Sequence, residues 1–179
     1  MECVFSTRNN TKTQVTWHIG PAGGIQAKGT QAGICSAMSA VWIARSIHKG
    51  SPLDNRMELG TQHNIAIVMG ARVVGGKDRR WILESQGLTV EEERIGAPTI
   101  PYMLLNEMRM NEGYTYFSTG GTGGRHAMAI AVLGSDYYFF DPNFGMYKMG
   151  MVEFVTKITD HLNLVYPDLL DDYSWYKVT

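Results

Sequence analysis

The chain has 179 residues, of which 44% are apolar, and its 16 basic and 17 acidic side chains nearly cancel. This length and composition fit one folded domain, and the absence of any block of five like charges excludes an obvious nucleic-acid-binding surface. The longest apolar run, residues 127–133, is too short to cross a bilayer, and two cysteines are too few for a disulfide framework. We therefore expect a soluble protein made in a reducing cytosol, without a transmembrane segment or a cleavable signal peptide.

The first half of the chain predicts a polar segment followed by helices. Residues 1–30 are polar and rich in glycine, which predicts a flexible N-terminal segment, and a single folded domain is expected over 31–179. Apolar side chains recur at helical spacing over 34–48, and Lys49 and Gly50 mark the end of this helix. Three further segments predict helices with less regular patterns, the first two with short strands as the alternative: 55–69, 78–85 and 98–109.

After residue 114 the apolar pattern changes from helical spacing to alternation. The segment "HAMAIAVL", residues 126–133, places alanines on one face and larger apolar side chains on the other, and "YYFF" follows the turn-forming residues 134–136. We expect an antiparallel meander, then a helix over 151–162 and a last edge strand over 174–179. Helices first and strands later indicate an α+β architecture, in which a helical layer packs on an antiparallel sheet.

Cys35 stands where the first predicted helix begins, in the sequence "GICSAM". A thiolate is the nucleophilic form of cysteine, and the free amides and positive dipole end of a helix N-terminus stabilise it. The same amides could hold the oxyanion of an acyl intermediate. The alternative is that Cys35 is a small buried apolar side chain, as many free cysteines are.

His126 and Asp141 could complete this chemistry if a hairpin brings them together. Asp141 ends the sequence "YYFFD", just before Pro142 stops strand pairing. A one-residue bulge and a slightly longer loop would set His126 and Asp141 side by side on neighbouring strands, where the carboxylate could orient the imidazole toward Cys35. The alternatives are a strand-edge histidine bonded to backbone and an aspartate that belongs to a turn.

The remaining motifs predict little chemistry. The glycine-rich segment 120–124 lacks the Lys and Ser or Thr of a phosphate-binding loop, and we interpret it as a mobile flap or hinge beside His126. The other histidines have no metal-ligand spacing, and a zinc site built from Cys35, His126 and Asp141 would lack a fourth protein ligand. We expect no metal and no cofactor.

The segments "GICSAMSAVWI", "GGRHAMAIAV" and "YYFFDPNFG", in this order, resemble the Cys, His and Asp motifs of the YopT/AvrPphB family of papain-like cysteine proteases, which bacterial pathogens inject into host cells. The resemblance implies a papain-like core, with the nucleophile at a helix N-terminus and the base and its orienting partner on adjacent strands. It implies that Cys35 is the nucleophile, His126 the base and Asp141 the orienting residue. Gln31 is the expected second oxyanion donor, and Gln26 is the alternative.

The function expected from these motifs is hydrolysis of a peptide bond in a target-cell protein, through a thioester on Cys35. Two other classes stay open: a deamidase, transglutaminase or peptidoglycan amidase with the same triad, and a non-catalytic binding module. The resemblance implies secretion by a specialised bacterial system without a cleavable signal peptide, and action in the target-cell cytoplasm. The expected partners are a protein substrate and a cognate chaperone or inhibitor protein, and no nucleic acid.

Overall fold

The structure is a computed structural model that describes residues 1–7, 15–19, 25–30, 34–74, 77–91, 93–96 and 101–179. Its centre is a seven-stranded sheet in which all neighbouring strands are antiparallel. In their order across the sheet, the strands are β1 (Glu2–Ser6), β8 (Gly145–Met149), β7 (Asp136–Asp141), β6 (Gly124–Leu133), β5 (Gly113–Gly121), β9 (Asp172–Val178) and β4 (Arg94–Gly96). A separate hairpin joins β2 (Val15–Ile19) to β3 (Ile25–Thr30).

Helices cover both faces of the sheet. In chain order, the α-helices of the described residues are α1 (Cys35–Lys49), α2 (Gln62–Val74), α3 (Arg79–Glu84), α4 (Pro101–Arg109) and α5 (Met151–Val165). The group of α1, α2 and α3 packs on one face, whereas α4 and α5 share the core on the other face. The α+β architecture expected from the sequence is confirmed, with a second helical layer added. In the part of the chain that the structure describes, no helix is both long and apolar enough to cross a membrane.

The alternation along β6 sets the distance between the sheet and α1. The small side chains of Ala127, Ala129 and Ala131 belong to the core under α1, and the larger side chains on the other face belong to the core of α4 and α5. Because alanine has little bulk, α1 lies close enough for the Ser39 hydroxyl to donate a hydrogen bond of 3.1 Å to the carbonyl of Ala127. The helix that begins with Cys35 is therefore held directly on the strand that contains His126.

In the parts of the polar segment 1–30 that the structure describes, the chain forms paired strands rather than loop. The flexibility of this segment stays a prediction. Glu2–Ser6 pairs with β8 at the edge of the main sheet, and residues 15–19 and 25–30 pair with each other. An edge strand or a small hairpin needs few apolar side chains, so polar composition concealed these strands. Gln31 lies outside the described residues, and the start of the domain at that position stays a prediction.

The helices predicted at 34–48, 78–85, 98–109 and 151–162 correspond to α1, α3, α4 and α5. The helix predicted at 55–69 instead divides into a 3-10 turn, Arg56–Leu59, and α2, which begins at Gln62. Gly60, with a positive φ of 78°, ends the turn and breaks the helical path.

The last strand is not an edge strand as expected. β9 lies between β5 and the short β4, and it pairs with both. The three-residue β4 was hidden in the sequence because so short a segment has no detectable alternation.

Candidate active site

Cys35 is the first residue of α1, and the residue is 9% exposed. The N-cap residue, Ile34, has no side-chain acceptor, so no side chain caps the amides of the first turn. That turn also contains no acidic residue that would repel a thiolate. Backbone hydrogen bonds from Ser36 and Ala127 reach the sulfur and help to lower the pKa of the thiol. The start of the helix is thus built to favour a negative charge.

His126 lies on β6 and Asp141 is the last residue of β7, and both side chains are buried. The Nε2 atom of His126 is 2.9 Å from Oδ1 of Asp141. The thiol of Cys35 forms a hydrogen bond with the same imidazole. Because Nε2 faces Asp141, Nδ1 is the ring nitrogen left to bond the sulfur. The fold therefore brings together the three side chains that the motifs singled out.

The contact between His126 and Asp141 arises without the bulge and longer loop expected from the sequence. β6 and β7 pair without a register shift around the two-residue turn formed by Gly134 and Ser135. Continued by one step, this register sets Asp141 opposite Met128 rather than opposite His126. Residues two positions apart on a strand share a face, and a diagonal neighbour on the next strand is within reach of a long side chain. The pair is therefore a diagonal contact.

The three groups shift one another's pKa against the effect of burial. Burial raises the pKa of the Cys35 thiol, but the hydrogen bond and charge of His126 outweigh it, and the pKa falls below its ordinary value. Burial would lower the pKa of His126, but Asp141 and Cys35 raise it to about 10. Burial would raise the pKa of Asp141, but hydrogen bonds from His126 and His161 hold it well below its usual range. These shifts favour a thiolate, an imidazolium and a carboxylate at neutral pH.

Two residues that the sequence did not point to, His161 and Tyr166, complete the surroundings of Asp141. Nε2 of His161, on α5, is 2.8 Å from Oδ2 of Asp141, and the Tyr166 hydroxyl is 2.9 Å from the same oxygen. The ring of Tyr166 stacks on His126 with 4.5 Å between the centroids. For His161, the sequence offered one signal, its position on a predicted helix. For Tyr166 it offered none, because the position of Tyr166 depends on how the chain turns after α5.

The loop that follows Asp141 is held on both sides. The backbone amide of Asn143 donates a hydrogen bond of 2.9 Å to Oδ1 of Asp141. The hydroxyl of Thr7, directly after β1, donates one of 2.7 Å to the carbonyl of Pro142. Part of the N-terminal segment therefore supports the loop of the acidic residue.

A cleft of about 490 Å³ opens beside Cys35 and His126. The glycine-rich segment 120–124 is the tip of the β5–β6 hairpin, and its Gly123 and Gly124 line the cleft. Gly121 pairs with Gly124, and the amide of Gly123 donates a hydrogen bond of 3.1 Å to the carbonyl of Asp168. The tip is therefore a paired and anchored wall of the cleft rather than the free flap interpreted from the sequence.

Within the described ranges, no group of three or more His, Cys, Asp or Glu side chains is arranged to hold a metal ion. The lack of a metal or cofactor stays an expectation from the sequence.

Residues 83–162 match the model of the family described as Yersinia/Haemophilus virulence surface antigen, Peptidase C58. This segment contains His126 and Asp141 but not Cys35. No curated protein shows significant sequence similarity to the chain.

Two solved structures share the fold. The avirulence protein AvrPphB of Pseudomonas superposes with a TM-score of 0.64 at 17% identity, over 82% of this chain and 91% of that chain. The ubiquitin-specific protease encoded by murine cytomegalovirus tegument protein M48, solved with a ubiquitin-based suicide substrate, superposes with a TM-score of 0.55 at 14% identity, over 97% of this chain and 84% of that chain. The family match and the shared fold together confirm three expectations: resemblance to the YopT/AvrPphB family, the papain-like fold and the assignment as a cysteine peptidase.

Proposed function

We propose that this peptidase hydrolyses a peptide bond of a protein substrate with Cys35 as nucleophile, His126 as acid and base, and Asp141 as the residue that orients His126. The observation that carries the proposal is the buried hydrogen-bonded series from Cys35 through His126 to Asp141, at the side of an open cleft. A cysteine that packs only as an apolar side chain has no need of an imidazole and a carboxylate aligned behind it.

The reaction proceeds in two stages through a thioester. The Sγ atom of Cys35 attacks the carbonyl carbon, a C–S bond forms, and the carbonyl electron pair moves onto oxygen. The backbone amide of Cys35 and the side chain of Gln31 donate hydrogen bonds to this oxyanion. When the C–N bond breaks, Nδ1–H of His126 gives its proton to the leaving amine. His126 then takes a proton from the water that attacks the thioester, and the acid product and the Cys35 thiolate are released.

The role of Gln31 is a prediction from the family resemblance, because this residue lies outside the described ranges. The backbone donor has structural support, since no side chain caps the first turn of α1. Removal of one oxyanion donor costs about 10²-fold or more in kcat in well-studied hydrolases. Gln31→Ala would report on the role in the same assay as the nucleophile variant described below.

We also propose that the enzyme is a secreted bacterial effector that acts on a protein in the cytoplasm of a target cell. The support is the description of the matched family as a virulence surface antigen and the shared fold with an avirulence protein. A cognate chaperone or inhibitor protein remains an expected partner under this proposal.

The direct experiment incubates the wild type, Cys35→Ala and Cys3→Ala with target-cell lysate and identifies new peptide N-termini by mass spectrometry. Cys3 is the matched control because it is the other cysteine and is exposed. We expect new termini with the wild type and Cys3→Ala, and none with Cys35→Ala, whose circular dichroism should match that of the wild type.

Other outcomes would replace the proposal with a named alternative. Side chains that gain about one dalton without chain cleavage would indicate a deamidase, and joined chains would indicate a transglutaminase. Tight binding of a lysate protein that Cys35→Ala leaves unchanged, with no altered product, would indicate a binding module.

A further inference from the structure

The cleft beside Cys35 is basic. Three arginines line it, Arg72 of α2, Arg79 of α3 and Arg125 of β6, and no described residue of its lining is acidic. Arg125 is neutralised by Asp172, whose two oxygens lie 2.8 and 2.5 Å from its guanidinium. Arg72 and Arg79 form no ion pair with any carboxylate in the described part of the chain: Arg72 donates to the backbone carbonyl of Asp78, and Arg79 to two serine hydroxyls.

Arg79 is fixed in place by neutral groups. Its Nη1 atom donates hydrogen bonds to the hydroxyls of Ser118, at 2.5 Å, and Ser174, at 2.8 Å. These two serines are buried, sit directly opposite each other on β5 and β9, and bond to each other at 2.9 Å. A guanidinium has five N–H donors, and among the described residues no acceptor engages those on Nε and Nη2 of Arg79. The serines therefore orient the guanidinium without cancelling its charge.

The two arginines act on the same part of the cleft as the thiol. The Tyr116 hydroxyl, 2.7 Å from the hydroxyl of Ser36, lines the cleft next to Cys35. Burial raises the pKa of Tyr116 to about 12. The charge of Cys35 also raises this pKa, and the charges of Arg79 and Arg72 lower it. A single phenol thus lies within electrostatic range of both the thiol and the two guanidinium groups.

We propose that Arg79, with Arg72 beside it, binds a carboxylate of the substrate, so that the enzyme selects peptide bonds flanked by Asp or Glu. This inference rests on the proposed function, since Cys35 defines which bond is cut. The planar guanidinium donates two parallel hydrogen bonds to a carboxylate, a geometry that neutral side chains cannot match.

The first test compares two small reagents at Cys35, in a Cys3→Ser background. Iodoacetate is an anion and iodoacetamide is neutral, and both alkylate the same sulfur, so the ratio of their rates reports the positive charge beside it. We expect Arg79→Gln to lower the iodoacetate-to-iodoacetamide ratio by about threefold to tenfold, and added salt to lower it in the wild type. Arg80→Gln is the matched control: it removes the next arginine of α3, which pairs with Glu84 and does not line the cleft.

The second test measures cleavage of paired peptides that differ only by Asp against Asn, or Glu against Gln, within three positions of the cut. We expect the wild type to prefer the acidic peptide by about tenfold or more, and Arg79→Gln to lose most of this preference while Arg80→Gln keeps it. If Arg79→Gln and Arg80→Gln show the same reagent ratio and the same preference for acidic peptides, the inference is overturned and the proposed function stands. A Cys35 that reacts with both reagents no faster than a free thiol overturns the proposed function and the inference together.

Discussion

The Asp141 carboxylate is the most heavily bonded group of the candidate site, so removal of its charge alone has a calculable effect. It is fully buried, and four donors reach it at 2.8–2.9 Å: His126, His161, Tyr166 and the amide of Asn143. In Asp141→Asn, an amide nitrogen replaces one oxygen, so at least one donor loses its acceptor and His126 loses its counter-ion. Removal of one partner of a buried ion pair costs about 3–5 kcal/mol, and we expect a loss of about this size in the free energy of unfolding.

The pH dependence of this loss has a definite sign. The pKa of Asp141 is lowered on folding, so its contribution is fully present above the ordinary value of 3.8 and is lost as the pH falls below it. The pKa of His126 is raised from 6.5 to about 10, so its contribution is fully present below 6.5 and is lost as the pH rises toward 10. The difference between wild type and Asp141→Asn should therefore be largest between pH 3.8 and 6.5 and should shrink on both sides.

Urea unfolding followed by tryptophan fluorescence, within and on both sides of this window, measures the effect. Asp136→Asn is the control, because Asp136 begins the same strand and pairs with Lys148 at 2.7 Å on an exposed surface. An exposed ion pair contributes little to the free energy of unfolding, so Asp136→Asn should lose far less stability than Asp141→Asn. Equal losses in the two variants, or a loss in Asp141→Asn that does not change with pH, would refute the account of the buried network.

Two further substitutions test the surroundings of the site. Tyr166→Phe keeps the ring on His126 but removes the hydroxyl bonded to Asp141. We therefore expect kcat/KM to fall about tenfold while the circular dichroism spectrum stays unchanged. An unchanged kcat/KM would show that the hydroxyl does not position His126. Ala129→Leu adds bulk under α1 at a fully buried position and should lower the free energy of unfolding by about 1–3 kcal/mol and slow alkylation of Cys35. Ile130→Val, on the other face of β6, is the control for Ala129→Leu and should leave the rate of Cys35 alkylation unchanged. A similar change of this rate in both variants would contradict the claim that the small face of β6 positions α1.

Much of the fold follows from periodicity that a single sequence displays. The apolar spacing over 34–48 predicts α1 and places Cys35 at its start, and the alternation over 126–133 predicts a strand with a small-residue face and a larger apolar face. These elements are long and strongly patterned, and both patterns come from neighbours that are close in the sequence.

The parts that sequence could not supply depend on contacts between distant segments. The register of the β6–β7 hairpin follows from the two-residue turn at Gly134 and Ser135, whereas the sequence pattern predicts a bulge and a slightly longer loop that would set His126 beside Asp141. Tyr166 meets His126 across 40 residues of chain, and Arg79 meets Ser174 across 95. No local pattern encodes such pairs, because each partner taken alone has an ordinary polar or aromatic environment.

The measurement that tests the central claim most directly is the pH dependence of Cys35 alkylation by iodoacetamide, in a Cys3→Ser background, for the wild type and His126→Ala. The hydrogen bond and charge of His126 lower the pKa of the thiol in the wild type. The wild type should therefore react rapidly at a pH well below the ordinary thiol pKa, and His126→Ala should need a higher pH. If both proteins react like a free thiol, or if the pH profile is the same in both, Cys35 and His126 do not form the nucleophile and base of a peptidase.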